Sequence, residues 1–278
     1  MVYCAQDQVF AEPLLGQFGA QTGVKPLPVF DSEAVKTVGL ANRLLAEKDH
    51  PQCDLFWANE ELRVRQLAAR GVFRSANGFV TFGYRSRRLV INTNRIALAA
   101  APRSLLELTN VSWRGKVALA YPLFGTTATH FLALRQLWGD APWQAWCRAL
   151  QANQPLLVDG NSVVVKMVGQ GEAWLGLTDS DDIAGAVHDG APVAALPMTS
   201  EMLLIPNAIA ITQAAPHPEA AEQLMTFLRQ PAVVERLVRD GALEGAQAPP
   251  ATGLQVNWDA LLSDLDSATA TLKDIFLR

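Results

Sequence analysis

The chain has 278 residues, enough for one large domain or for two α/β lobes with cores of their own. Apolar residues make up 50% and charged residues 18%, and the net charge is −4 without any run of Lys or Arg, which excludes a nucleic-acid surface or attraction to an anionic membrane. No apolar stretch approaches the roughly 18–20 residues that a membrane-spanning helix needs.

Strand and helix patterns alternate from the start. Val2–Ala5 reads as a short apolar strand, and residues 8–21 as a helix, with Val9, Phe10, Leu14, Leu15 and Phe18 at helical spacing and Gly23 past the end. Leu27–Phe30 is a second strand, and Asp31-Ser32 offers an N-cap for a helix running to about Lys48. Asp54–Trp57 and Glu60–Arg70 complete a βαβαβα opening that Gly71 ends. Arg85–Asn92 is strand-like and leads into a second such unit. Its strands are Lys116–Ala120, Leu156–Val158 and Ala173–Thr178; its helices are Thr127–Trp138, Pro142–Ala152, Ser162–Gly169 and Asp181–His188. Met202–Thr212 is a long apolar strand, Pro218–Leu228 a helix, and Trp258–Leu277 a final helix with Leu261, Leu262, Leu265, Leu272 and Phe276 on an apolar stripe. This alternation predicts an α/β fold with mostly parallel sheets. A chain that leaves one lobe, builds a second and returns suits a hinged clamshell.

In open α/β sheets ligands bind beyond the carboxyl ends of the strands, and polar residues gather at those ends here. The first lobe offers Gln6-Asp7, Asp31-Ser32-Glu33 and Asn59-Glu60; the second offers Gly125-Thr126-Thr127, Asp159-Gly160-Asn161-Ser162 and Thr178 through Asp182. The Gly-Thr-Thr and Gly-Asn-Ser turns present backbone N–H groups and hydroxyls suited to an anion, and suited equally to plain helix capping. Arg85 and Arg87, two apart on a strand, share a face that is either a source of positive charge for a ligand or a solvated edge. Asp179, Asp181 and Asp182 fall within four positions, and together with Asp7, Asp31, Glu33 and Glu60 they suit a hard cation or an ammonium group, or else cap helices. No P-loop, dinucleotide fingerprint or nucleophile elbow is present, and His50, His130, His188 and His217 lack metal-ligand spacing. Cys4, Cys53 and Cys147 sit among apolar residues and read as buried thiols, with a Cys4–Cys53 bridge as the alternative.

Segments 2–25, 30–61, 114–130, 158–164, 176–183 and 205–228 together carry a resemblance. The most specific is the Ile205-Pro206-Asn207 strand followed by His217-Pro218-Glu219-Ala220-Ala221 and a helix. On these segments the chain resembles the ferric-type substrate-binding proteins of bacterial ABC importers. The resemblance implies a type II periplasmic-binding-protein fold, with two doubly wound lobes joined by two crossing strands. On that plan residues 1–82 and 208–278 form lobe one, residues 83–207 form lobe two, and the ligand lies between them. It also implies a non-enzymatic monomer that takes up a small molecule or ion outside the cytoplasmic membrane and delivers it to an ABC permease. Met1–Ala5 already reads as a strand, so the sequence is read as a mature form with its export segment replaced.

Ferric-binding relatives often hold iron with a His, a Glu and a Tyr pair. By motif position the His falls on Asp7, the Glu on or beside Asn59-Glu60, and the Tyr pair on about Ser180-Asp181. The chain's tyrosines are Tyr3, Tyr84 and Tyr121, so phenolate ligation does not carry over. The Gly125–Thr127 turn matches the place of a synergistic phosphate or carbonate. The expected metal set is Asp7, Glu60, Asp179 and Asp181, with Thr126, Thr127, Asn161 and Ser162 at the anion. The alternative ligand is an organic phosphate or an aminophosphonate whose amine meets the Asp cluster. A metal-dependent phosphatase and a sensor module are the remaining readings.

Overall fold

The computed structural model describes residues 1–31, 36–74, 78–247 and 253–277. Ser32 and Glu33, expected as a helix cap and ligand candidates, lie outside the described residues. In chain order the elements are β1 (Val2–Cys4), α1 (Gln8–Thr22), β2 (Pro28–Val29), α2 (Lys36–Ala46), β3 (Leu55–Ala58), α3 (Leu62–Ala69) and β4 (Phe79–Asn92). Three short 3₁₀ turns lead to β5 (Val117–Ala120), α4 (Gly125–Trp138), α5 (Asp140–Ala152), β6 (Leu156–Val158), α6 (Asn161–Gln170), β7 (Leu175–Asp179) and α7 (Ser180–His188). The chain closes with β8 (Val193–Ala195), β9 (Leu204–Ile211), α8 (Pro218–Leu228), α9 (Pro231–Arg239) and α10 (Trp258–Phe276). None of the described helices is long and apolar enough to cross a membrane.

These elements form two compact units. Unit 1 comprises Met1–Arg85 and Ile205–Ala248, and unit 2 comprises Ser86–Leu204 and Pro249–Arg278. In unit 1 β1 runs parallel to both β2 and β3, and β9 pairs antiparallel with β3. Its strands are apolar on both faces because helices cover both. One face packs Val2, Cys4, Trp57 and Ile209 against Leu14 and Phe18 of α1, Leu224 and Phe227 of α8 and Leu237 of α9. The other packs Tyr3, Phe56 and Ala210 against Leu40 and Leu44 of α2 and Leu67 of α3. Pro218 and Pro231 open α8 and α9 at the position where a missing N–H costs nothing. Cys4 and Cys53 face these opposite cores as free thiols, so no bridge joins them; burial pushes the Cys53 thiol up to about 12.

In unit 2 β5 lies parallel between β6 and β7, while β4 runs antiparallel to β7 on one side and β8 on the other. The final helix departs from the expected plan. Placed by sequence with the first lobe, α10 instead packs on α4 and α5 of unit 2. Its stripe of Leu261, Leu265, Ala268, Leu272, Ile275 and Phe276 is buried there, and Phe276 meets Phe131 edge-on at 5.9 Å between ring centroids. An apolar stripe fixes which face of a helix is covered but not which neighbour covers it. The chain therefore passes between units within β4, at the start of β9, and a third time between Ala248 and Pro249, where two crossings were expected.

Candidate ligand-binding residues

Three helices of unit 2, α4, α6 and α7, each begin within a few residues of a strand's carboxyl end, and one buried network ties these ends together. Arg87 and Asp179 stand opposite each other in the β4–β7 register. The Arg87 guanidinium donates to Asp179 Oδ1 at 2.7 Å, to Asn161 Oδ1 at 2.8 Å and to the Leu177 carbonyl at 3.1 Å. The other carboxylate oxygen accepts from Thr126 Oγ1 at 2.8 Å and from Asn161 Nδ2 at 3.2 Å. Thr127 Oγ1 lies 3.3 Å from Asn161 Oδ1, and Thr178 Oγ1 donates to the Asn161 carbonyl. Arg87 and Asp179 are both essentially inaccessible, at 0% and 2% exposure.

This geometry corrects one expectation: Arg87 does not stand on a solvated edge, because its guanidinium is buried beside the Asp179 carboxylate. Both oxygens of Asp179 accept hydrogen bonds, from Arg87, Thr126 and Asn161. The two charges hold each other, and the pair holds Thr126 and Asn161.

Phe124 and Gly160, the N-caps of α4 and α6, supply no side-chain cap. The Thr and Asn residues read as possible caps lie instead inside the first turns of their helices. The two helix ends adjoin, since Asn161 Nδ2 also donates to Thr126 Oγ1 at 3.2 Å. Gly125 has a left-handed φ of 53°, and a Cβ built there meets no atom within 4 Å. The backbone thus has open space at a point where two positive helix ends come together, an arrangement that suits an oxyanion. Ser162 is exposed on the same turn of α6.

Asp179, Asp181 and Asp182 do gather, with one carboxylate oxygen of each within 4.8 Å of the others. Asp181 and Asp182 stand in the first turn of α7, where the helix dipole favours them, and Thr178 Oγ1 lies 3.4 Å from Asp182 Oδ2.

In unit 1 the candidates divide. Glu60 is fully buried, and its two oxygens accept the N–H groups of Leu62 at 2.7 Å and Arg63 at 3.0 Å, which caps α3. Asp7 is half-buried at the start of α1 and makes no capping bond. Asp31 is exposed. Asn59 and Arg85 are buried side by side, with the Arg85 guanidinium donating to the Asn59 carbonyl at 3.2 Å. Sequence reasoning passed over Asn207 and Trp57, whose buried polar atoms lie at this same end of the sheet.

His130 packs within α4, as its helical setting suggested, with Nε2 donating to the Glu201 carbonyl at 2.6 Å. Burial, aided by the nearby Arg87 cation, lowers its pKa to about 3. The folded value lies below the unfolded one, so the neutral ring's contribution is complete above about pH 6.5 and lost as pH falls toward 3. The expected slope approaches about 1.4 kcal/mol per pH unit in that window. Melting curves of the wild type and His130→Gln between pH 4 and 7 should converge as the pH drops; parallel curves would remove His130 from the acid response.

An α/β scaffold with polar residues gathered at its strand ends, over a buried network, suits a binder of small solutes. A model of the bacterial extracellular solute-binding protein family matches residues 1–242, and the chain belongs to that family. A Fe(3+)-binding periplasmic protein of Serratia marcescens is 31% identical over 195 residues, which are 64% of this chain and 55% of that protein's own length. Iron-bound HitA from Pseudomonas aeruginosa aligns with a TM-score of 0.84 at 19% identity, covering 99% of this chain and 98% of that one. AfuA from Actinobacillus pleuropneumoniae, with fructose-6-phosphate bound, aligns with a TM-score of 0.82 at 17% identity over the same shares. At these identities the structures show the fold, which is that of periplasmic binding proteins.

Proposed function

We propose that the chain is the solute-capture component of a bacterial ABC importer, acting outside the cytoplasmic membrane and passing its solute to a membrane permease without transforming it. Its solute carries a phosphate-like oxyanion, held at the adjoining N-termini of α4 and α6. The observation that carries this reading is the Gly125–Thr127 turn, open to solvent above Gly125 and braced from behind by Asp179 and Asn161.

Two sources of that oxyanion fit. One is phosphate or carbonate bound with a ferric or other hard metal ion, which the resemblance and the Serratia relative favour; in unit 2 such an ion would draw on Asp181 and Asp182. The other is an organic phosphate or phosphonate, favoured by the engagement of Asp179 and Glu60 in structural bonds and by the AfuA complex.

A thermal-shift series on chelator-treated protein separates them. A ligand at 100 times its Kd adds about 2.7 kcal/mol and raises the melting point. A shift that needs both metal and anion supports the first source, and a shift with a phosphate ester alone supports the second. Thr127→Val is expected to weaken whichever ligand binds by about 1–3 kcal/mol, through the lost hydroxyl and the disturbed Asn161 amide. Unchanged affinity would return the turn to a purely structural role. Recovery of the ester unaltered after prolonged incubation distinguishes capture from hydrolysis.

A further inference from the structure

Unit 2 begins at Ser86, is left after Leu204 and is entered again at Pro249. One short segment of that unit, Thr199–Leu204, meets all three passages. Its Leu203 carbonyl accepts the Arg87 N–H at 2.8 Å, just past the first passage. Leu204 itself opens β9 at the second. The Met202 carbonyl accepts the Leu254 N–H at 2.7 Å, shortly after the third. The segment is held in a turn by the Met202 N–H on the Thr199 carbonyl at 3.1 Å. The Glu201 carboxylate anchors it further, accepting from Ser104 Oγ at 2.9 Å and from the Leu105 N–H at 2.6 Å.

Two routes tie this segment to the Gly125–Thr127 turn. The first is Arg87, whose backbone N–H is on Leu203 while its guanidinium donates to Asp179 Oδ1 at 2.7 Å. The other oxygen of that carboxylate accepts from Thr126 Oγ1 at 2.8 Å. The second is His130, which stands on α4 one helical turn after Thr126 and Thr127. Its Nε2 donates to the Glu201 carbonyl at 2.6 Å. A carbonyl can only accept, so this ring nitrogen carries a proton.

Arg87, Thr126, His130, Asp179, Glu201, Met202 and Leu203 are all buried. Water does not reach these bonds to replace one that breaks, and a broken bond leaves its partner unmatched. Close packing likewise leaves little slack to absorb a displacement. A shift of the first turn of α4 is therefore passed along both routes, and the segment receives it at two adjacent places, Glu201 and Leu203.

We propose that Arg87 and His130 transmit the state of the Gly125–Thr127 turn to Thr199–Leu204, and through it to the three passages of the chain. This coupling rests on the reading of that turn as the oxyanion site and adds a means by which its occupancy is reported. It is reciprocal: if filling the turn tightens the passages, tight passages favour filling the turn.

Amide hydrogen exchange on the full chain without ligand tests the coupling, so its failure would leave the capture reading standing. Gly125 has a φ of 53° and open space where a Cβ would lie, so Gly125→Ala strains the backbone of the turn without a clash. Exchange at Ala128, which donates to the Phe124 carbonyl, should rise roughly tenfold. Arg87, Met202 and Leu254 should follow by at least about twofold. Trp174, which donates to the Lys116 carbonyl, and Ala5 of unit 1 should hold steady. In a His130→Leu background the Met202 and Leu254 responses should vanish and the Arg87 response remain. His130→Gln, which keeps a donor for Glu201, should restore them. With Arg87→Met and Asp179→Leu together, the response at position 87 should be lost and that at Met202 kept; this pair carries the test if His130→Leu folds poorly. The reverse perturbation, Glu201→Ala, should speed exchange at Ala128 only where His130 is present. Equal Met202 responses with and without His130, a response confined to Ala128, or a rise at Trp174 as large as that at Met202 overturns the proposal.

Discussion

Arg87→Met is expected to destabilise the protein by about 3–5 kcal/mol, because it leaves the Asp179 carboxylate buried without its counter-ion. The loss should not stop at the pair. Asn161 accepts from Arg87 and donates to Asp179 and Thr126, so the α4 and α6 ends lose their common anchor. Urea unfolding should show the drop, and hydrogen exchange should place the first loss of protection at residues 125–128 and 161–164. The double replacement Arg87→Met with Asp179→Leu should recover most of the stability, since removing both charges removes the desolvation cost of each. It should not recover ligand affinity, because Thr126 and Asn161 no longer have the carboxylate that orients them. A double variant as unstable as the single one would show that the pair does more than neutralise itself.

Phe276→Ala should cost about 3–5 kcal/mol, the usual range for emptying a buried aromatic site. Phe276 is 3% exposed and stands edge-on to Phe131, which in turn tilts against Trp146 at 5.2 Å between centroids. Trp146 is fixed at its far side by its indole N–H on the Leu105 carbonyl and by Trp138. The void therefore opens in a rigid aromatic stack that has little room to collapse. Protection against hydrogen exchange should fall in α4, α5 and α10 and hold in α1 and α8. Equal losses in α1 and α8 would contradict the assignment of α10 to unit 2.

Much of the fold was legible because it depends on short-range pattern. Periodicity and turn residues locate most strands and helices to within a few positions, though they miss β8 (Val193–Ala195) and begin β4 at Arg85 instead of Phe79, and the strand-end rule singles out Thr126, Asn161 and Asp179. What was not legible depends on partners distant in sequence. Arg87 and Asp179 lie 92 positions apart, and only the β4–β7 register reveals that they neutralise each other. The stripe on α10 shows which face is covered but not what covers it. Glu60 is the opposite case: its place two residues ahead of α3 makes its capping role legible from local pattern alone. The α9 helix was also within reach, with Pro231 at its start and Val233, Val234 and Leu237 on one side. Asn207 was hidden by its setting, a single amide among the apolar residues of β9.

The interleaving of the two units sets an order on their assembly. All of unit 1 has been synthesised once residue 248 is made, whereas unit 2, begun at Ser86, still waits for α10 to cover α4 and α5. A nascent chain that lacks its last thirty or so residues thus carries one finished sheet and one with Phe131 and Trp146 bare, a state open to misassociation. The unit begun second is also the unit finished last.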